Sequence, residues 1–139
     1  MKVFVKVFSL VILAGILFAS CSRTRDAIGL DTIENMVKAG RWTIFDREVY
    51  TPPNSSTAVK TDMLADGQYL KFESGGVAKV HNSDGAATTT SYNYSFTDTK
   101  TIVFDGVTYK IQETLVGSSS KMTLVNETAV AKTVYILQR

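Results

Sequence analysis

Between residues 50 and 121 the chain is cut every few residues by segments that turn a backbone back on itself. They are Asp66-Gly67, Gly75-Gly76, Asn82-Ser83-Asp84-Gly85, Asp105-Gly106 and Gly117-Ser118-Ser119-Ser120. An Asp-Gly pair between apolar segments is a strong hairpin signal, because a two-residue loop that matches strand twist needs positive φ at both positions. The pieces left between the turns are too short for packed helices, and the clearest of them alternates. Tyr92, Tyr94 and Phe96 fall on one face, with Asn93, Ser95 and Thr97 on the other. Pro52-Pro53 breaks an earlier segment, since proline cannot donate to a ladder.

Strands are therefore expected over 42–50, 58–64, 68–73, 77–81, 88–97, 100–104, 107–115, 121–126 and 131–138. Many short strands joined by tight sequential turns point to an all-β fold, a small antiparallel up-and-down β-barrel of about eight strands. Closure also removes the open edges a lone sheet would carry. One short N-terminal helix is expected before the strands. Asp31-Thr32-Ile33-Glu34 has the spacing of a capping box, Ile33, Met36 and Val37 form an apolar stripe, and Gly40 stands at the C-terminal stop.

The N-terminus reads differently. Lys2 and Lys6 precede an apolar run over residues 7–19, and the run ends on the small residues Ala19 and Ser20. This is the layout of a secretory signal peptide. The run is too short for a hydrocarbon core that needs about 20 residues. Cys21, the only cysteine, follows directly. A single unpaired thiol is awkward for a secreted chain, and with one histidine it cannot make a metal or redox centre.

Phe18-Ala19-Ser20-Cys21 resembles a bacterial lipobox, with Phe18 where that family most often carries Leu. The resemblance implies cleavage before Cys21 and a diacylglyceryl, palmitate-bearing cysteine as the new N-terminus. It gives three parts: a lipoprotein signal peptide over 1–20, a polar tether over 21–27 and a folded domain over 28–139. Ser22, where Asp would favour inner-membrane retention, implies the outer membrane. The absence of an acidic run after Cys21 implies a periplasm-facing domain.

The chain carries 15 Lys and Arg against 13 Asp and Glu. Lys2 and Lys6 lie in the signal, so the remaining side chains balance at 13 basic (15 minus 2) and 13 acidic. No basic field remains to support nucleic-acid binding.

Gly40-Arg41-Trp42 resembles the Gly-x-Trp signature at the first strand of lipocalins. Ala65-Asp66-Gly67-Gln68-Tyr69, Tyr92-Asn93-Tyr94, Thr108-Tyr109-Lys110-Ile111 and Lys121-Met122-Thr123-Leu124 are similar to segments of compact lipocalin-like domains in envelope lipoproteins. The resemblance spans about residues 40–139. It implies that Trp42 closes one end of the barrel under a basic residue, for which Arg139, the last residue where chains fray, is the candidate.

Candidate site residues follow from strand parity. If Trp42 points inward, Asp46 and Glu48 share its face, two carboxylates about 7 Å apart inside the barrel. A β-bulge near Phe45 gives the opposite result: Phe45 and Val49 inward, Asp46 and Glu48 in water. Tyr92, Tyr94, Phe96 and Tyr109 could line a pocket for an amphipathic ligand, or simply pack a core. His81, Ser83 and Asp84 are neighbours in a turn and cannot align as a catalytic triad. There is no phosphate-binding loop, dinucleotide glycine motif or HExxH. No enzyme, cofactor or metal is expected.

Two functions remain. One is a non-catalytic cup holding a small apolar or amphipathic ligand near the membrane, with Trp42, Asp46, Glu48, Tyr92, Tyr94, Phe96 and Tyr109 as its contacts. The other is a solid barrel acting as a structural or protein-interaction module of the cell envelope. An interior filled by Leu70, Phe72, Tyr94 and Ile111 separates the second from the first.

Overall fold

The computed structural model describes residues 25–113, 115 and 120–139. The signal segment, Cys21, the start of the tether and most of the turn after residue 115 lie outside the described residues.

Among the described residues nine strands follow one helix: β1 (Ile44–Tyr50), β2 (Ala58–Asp62), β3 (Tyr69–Glu73), β4 (Val77–His81), β5 (Ala87–Asp98), β6 (Thr101–Phe104), β7 (Val107–Ile111), β8 (Lys121–Glu127) and β9 (Lys132–Gln138). All belong to one sheet in the order β2-β1-β9-β8-β7-β6-β5-β4-β3, and every neighbouring pair is antiparallel. From β3 to β9 the sheet is a meander. It then returns to β1, whose register with β9 runs unbroken from Ile44↔Gln138 to Tyr50↔Lys132. The two edges, β2 and β3, share no ladder. Among the described residues a single bridge joins this region: Trp42 N–H donates to Leu70 O (2.9 Å), and Leu70 N–H donates to Trp42 O (2.8 Å).

The turns behave as their residues demand. Asp105 and Gly106 both have positive φ, 49° and 80°, and connect the pair Phe104↔Val107 in a two-residue hairpin. Gly76 has a second reason to be glycine. A Cβ there would lie 2.7 Å from the Tyr94 carbonyl oxygen, to which the strand is held by Tyr94 N–H donating to Gly76 O. Strand β7 stops at Ile111, short of the expected 115. Beyond it, the Glu113 carboxylate takes over the pairing by accepting from Thr123 N–H and Thr123 Oγ1–H, both at 2.6 Å.

The helix, α1 (Arg25–Lys38), starts earlier than the capping-box reading expects. Asp31 lies inside it, and Glu34 pairs forward with Lys38 Nζ at 3.0 Å rather than back to an N-cap. Residues read as polar tether, from Arg25 on, are thus helical. Gly29 is the one poor helix former before Asp31, at a cost of about 1 kcal/mol relative to Ala. Its missing Cβ lets the helix approach Thr99, whose Cγ2 would stand 3.1 Å from a side chain at that position. Ile33 and Val37 point into the core, as the stripe predicts.

One face of the sheet meets itself. Phe45 on β1 packs against Tyr92 on β5 (ring centroids 5.5 Å apart), Phe104 on β6 (6.0 Å) and Tyr135 on β9 (5.3 Å). Phe104 also reaches Phe72 on β3 (6.4 Å). Rings from five strands spread across the sheet can touch only if it curls strongly. Leu70, Phe72, Tyr94 and Ile111 are 0, 1, 6 and 4% exposed and belong to this one cluster. The inner face is packed with side chains.

Phe104 sits at the middle of that network. Its replacement by alanine is expected to lower the unfolding free energy by about 3–5 kcal/mol, read from the urea midpoint at constant slope. Val130→Thr, on a side chain 72% exposed, is expected to change it by less than about 0.5 kcal/mol.

Candidate functional site

Trp42 is fully buried at the junction of helix and sheet. Its indole N–H donates to Val37 O at 3.1 Å, which occupies a carbonyl at the end of α1. The guanidinium of Arg139 lies over the ring, 4.4 Å from its centroid, and donates to Met36 O. The basic residue implied over the tryptophan is therefore in place. Gly40 has no positive φ. Its role is room: a Cβ there would come within 3.0–3.1 Å of the Arg139 side chain.

Asp46 and Glu48 do not share the face of Trp42. Thr43 N–H donates to Gln138 O while Ile44 is the residue paired with Gln138, so two residues oppose one. This bulge switches parity, and Trp42 and Phe45 are both inward although three positions apart. The inward pair of carboxylates is thereby corrected to the bulged alternative, with the irregularity just before Phe45. On the outer face Glu48 accepts from Tyr50 Oη–H (2.7 Å) and pairs with Lys60 Nζ (3.1 Å). Lys132 Nζ stands 4.5 Å over the Tyr50 ring. The Tyr50 hydrogen bond, followed by Lys60, holds the Glu48 carboxyl below the usual range, and the same bond raises the Tyr50 phenol.

Tyr92, Tyr94, Phe96 and Tyr109 all lie on the inner face: Tyr94 and Tyr109 are buried core, and the half-buried Tyr92 and Phe96 pack against it. Tyr94 stacks edge-on against Phe72 at 4.9 Å and donates to Glu73 O at 2.8 Å. Phe96 lies edge-on to Tyr94 at 6.0 Å. Tyr92 stacks on Phe104 at 5.2 Å. Tyr109 packs edge-on against Tyr135 at 5.5 Å. Burial pushes the Tyr109 hydroxyl up to about 12, with the Tyr135 phenol adding to it, and burial raises Tyr92 and Tyr94 as well. Neutral phenols packed against the rings of other strands are anchors. They are poorly suited to proton transfer near neutral pH.

Sequence reasoning missed a second polar cluster. His81 is 8% exposed and stacks flat on Tyr69, with centroids 5.2 Å apart. Its Nδ1 faces Gly85 O at 3.0 Å, and its Nε2 faces Glu73 Oε1 at 3.1 Å. Glu73 also pairs with Lys79 at 3.0 Å, and Lys79 first, then His81, hold its carboxyl below the usual range. Arg41 covers the other ring, 4.6 Å from the Tyr69 centroid. Residues 69, 73 and 81 share a face through β3–β4 pairing, which became visible only with the register Tyr69↔His81. Ser83 and Asp84 take no part in these contacts. Asp84 instead caps its own turn by accepting from Ala86 N–H at 2.9 Å.

Open grooves on the outer surface include two formed by described residues. One, of about 690 Å³, is lined by Thr108, Lys110, Gln112 and residues 125–129. The other, of about 300 Å³, lies beside Asp46, Asp62 and residues 64–68. Neither reaches the aromatic interior. No protein-family model matches the chain, and no curated protein matches it.

Glu48 and Glu73 make a pH prediction with a definite sign. A carboxyl whose pKa is depressed in the fold contributes stability that is present above its unfolded pKa and lost as pH falls through its folded pKa. Thermal midpoints recorded from about pH 7 down to about pH 3 should fall on acidification. Glu48→Gln should flatten part of that fall while leaving the slope between about pH 6 and about pH 8 unchanged.

Proposed function

We propose that this chain is a lipid-anchored lipoprotein of the bacterial cell envelope. Its folded part is a small, solid, lipocalin-like β-barrel that serves as a structural or protein-interaction module. The observation that carries the reading is the packed inner face. An eight- to nine-stranded barrel of this size either fills its interior with side chains or holds one small ligand. Here Phe45, Phe72, Phe104 and Leu70 occupy the space a calyx would need. Barrel closure is supported by the β1–β9 pairing, the aromatic contacts across the interior and the Trp42–Leu70 bridge.

The lipocalin-like assignment gains from the geometry around Gly40-Arg41-Trp42, where Arg139 covers the tryptophan. The anchor rests on Cys21 after the apolar run. With α1 starting at Arg25, only a few residues separate the acylated cysteine from the fold. The domain is then held against the membrane surface, which we infer to be the outer membrane on its periplasmic side. Function resides on the exterior, in what the strands and loops present to neighbours, and no reaction is assigned.

Organic extraction of the purified chain followed by mass spectrometry tests the solid interior. The expected result is no small molecule above background, apart from the covalent acyl groups. Recovery of a non-covalent lipid at near-equal stoichiometry would instead establish the cup. Metabolic labelling with a clickable fatty acid tests the anchor independently. Label should be incorporated in the wild type and lost in Cys21→Ser, and retention of label in that variant refutes the anchor.

A further inference from the structure

We infer that β2 is a pairing edge for a second copy of this chain, joined antiparallel about a two-fold axis at Thr61. Strand β2 ends the sheet, and both its faces are open: Ala58 is half-buried, while Val59, Lys60, Thr61 and Asp62 are exposed. The Trp42–Leu70 bridge ties β3 to the segment just before β1, so β2 stands outside that junction with its far edge unpaired among the described residues.

The β1–β2 register decides which groups face that edge. Met63 N–H donates to Phe45 O at 2.9 Å, so Phe45 and Met63 are a hydrogen-bonded pair. Antiparallel pairs alternate between bonded and non-bonded. Arg47↔Thr61 and Val49↔Val59 are then bonded, while Asp46↔Asp62, Glu48↔Lys60 and Tyr50↔Ala58 are not. The N–H and C=O of Ala58, Lys60 and Asp62 therefore point away from β1 toward the free edge.

Two-fold pairing must match such residues with each other. Lys60 opposite Lys60 sets like charges face to face, which is unfavourable. A shift by one residue in the centre places Lys60 opposite Asp62 twice, with Thr61 opposite Thr61 between them and Val59 opposite Met63. That register answers a charge problem visible in the single chain. Asp46 and Asp62 are directly opposed, and neither has an ion-pair partner among the described residues. Lys60 of the second copy would supply the missing cation. Each Lys60 would then lie between Glu48 of its own chain, already 3.1 Å away, and an Asp62 carboxylate across the interface. The pairing also covers Val59, among the most exposed large apolar side chains described. An isologous contact of this kind closes at a dimer.

The register is tested by cross-linking the full chain in mild detergent, in a Cys21→Ser background that leaves each introduced cysteine as the only thiol. Thr61→Cys sits at a non-hydrogen-bonded pair, where Cα atoms are about 4.5 Å apart and a disulfide fits. It should form an intermolecular disulfide readily, whereas Val130→Cys, equally exposed at 72%, should not. Asp62→Lys replaces both attractive pairs with repulsive ones and should raise the dimer dissociation constant about tenfold, read by light scattering. Adding Lys60→Asp should restore it. A monomer at all accessible concentrations overturns the inference. So does cross-linking of Thr61→Cys no faster than Val130→Cys, faster cross-linking at Lys60→Cys, or a Thr61→Cys adduct with a different protein.

Discussion

Everything at one end of this fold is pinned by Trp42. Its main chain exchanges two hydrogen bonds with Leu70, its indole N–H holds the last turn of α1 through Val37 O, and its ring lies beneath Arg139. Four parts of the chain thus converge on one residue: the end of the helix, the start of β1, the start of β3 and the C-terminus. The bulge at Thr43–Ile44 is what makes this possible. It lets Trp42 face inward at the junction while Phe45 faces inward along the regular strand. Without that extra residue, Asp46 and Glu48 would be buried with no cation beside them, a cost of several kcal/mol per charge.

The local chemistry of the chain was legible because turns and alternation are short-range. Asp105-Gly106, Gly75-Gly76 and Asp84-Gly85 lie in the turns they imply, and the strand bounds differ from expectation mostly by a residue or two. The errors came where a non-local contact decided. A capping box at Asp31 competes with a helix that has no strong stop before Arg25, and docking of Ile33 and Val37 fixes the helix wherever it starts. Gly40 has the sequence look of a helix stop, yet its need for glycine comes from Arg139 at the far end of the chain. Strand parity at Trp42 could be read two ways until the pairing with Gln138 was known. The His81–Glu73–Lys79 cluster depends on cross-strand register, which a linear pattern does not encode.

The candidate ligand wall illustrates the same limit. Tyr92, Tyr94, Phe96 and Tyr109 share an inward face, as alternation implies. Alternation says nothing about what stands opposite. Phe45, Phe72 and Phe104 arrive from other strands and fill the volume between them, so the aromatic ladder is half of a core. Burial then raises the phenols, Tyr109 to about 12, which keeps them neutral and able to donate inside the packing. Among the described residues, what lies open is on the outside: charged strand faces, open grooves and the far edge of β2.

Native-state hydrogen exchange tests the pin most directly. The amides of Trp42 and Leu70, bonded to each other across the gap between β1 and β3, should exchange only through global unfolding, as slowly as the amides of Phe104 and Leu124. The edge amides of Lys60 and Asp62 in the monomer should exchange far faster. Exchange of Trp42 and Leu70 at the rate of those edge amides would mean that the seam is open and that the helix, the first strand and the C-terminus are not held together there.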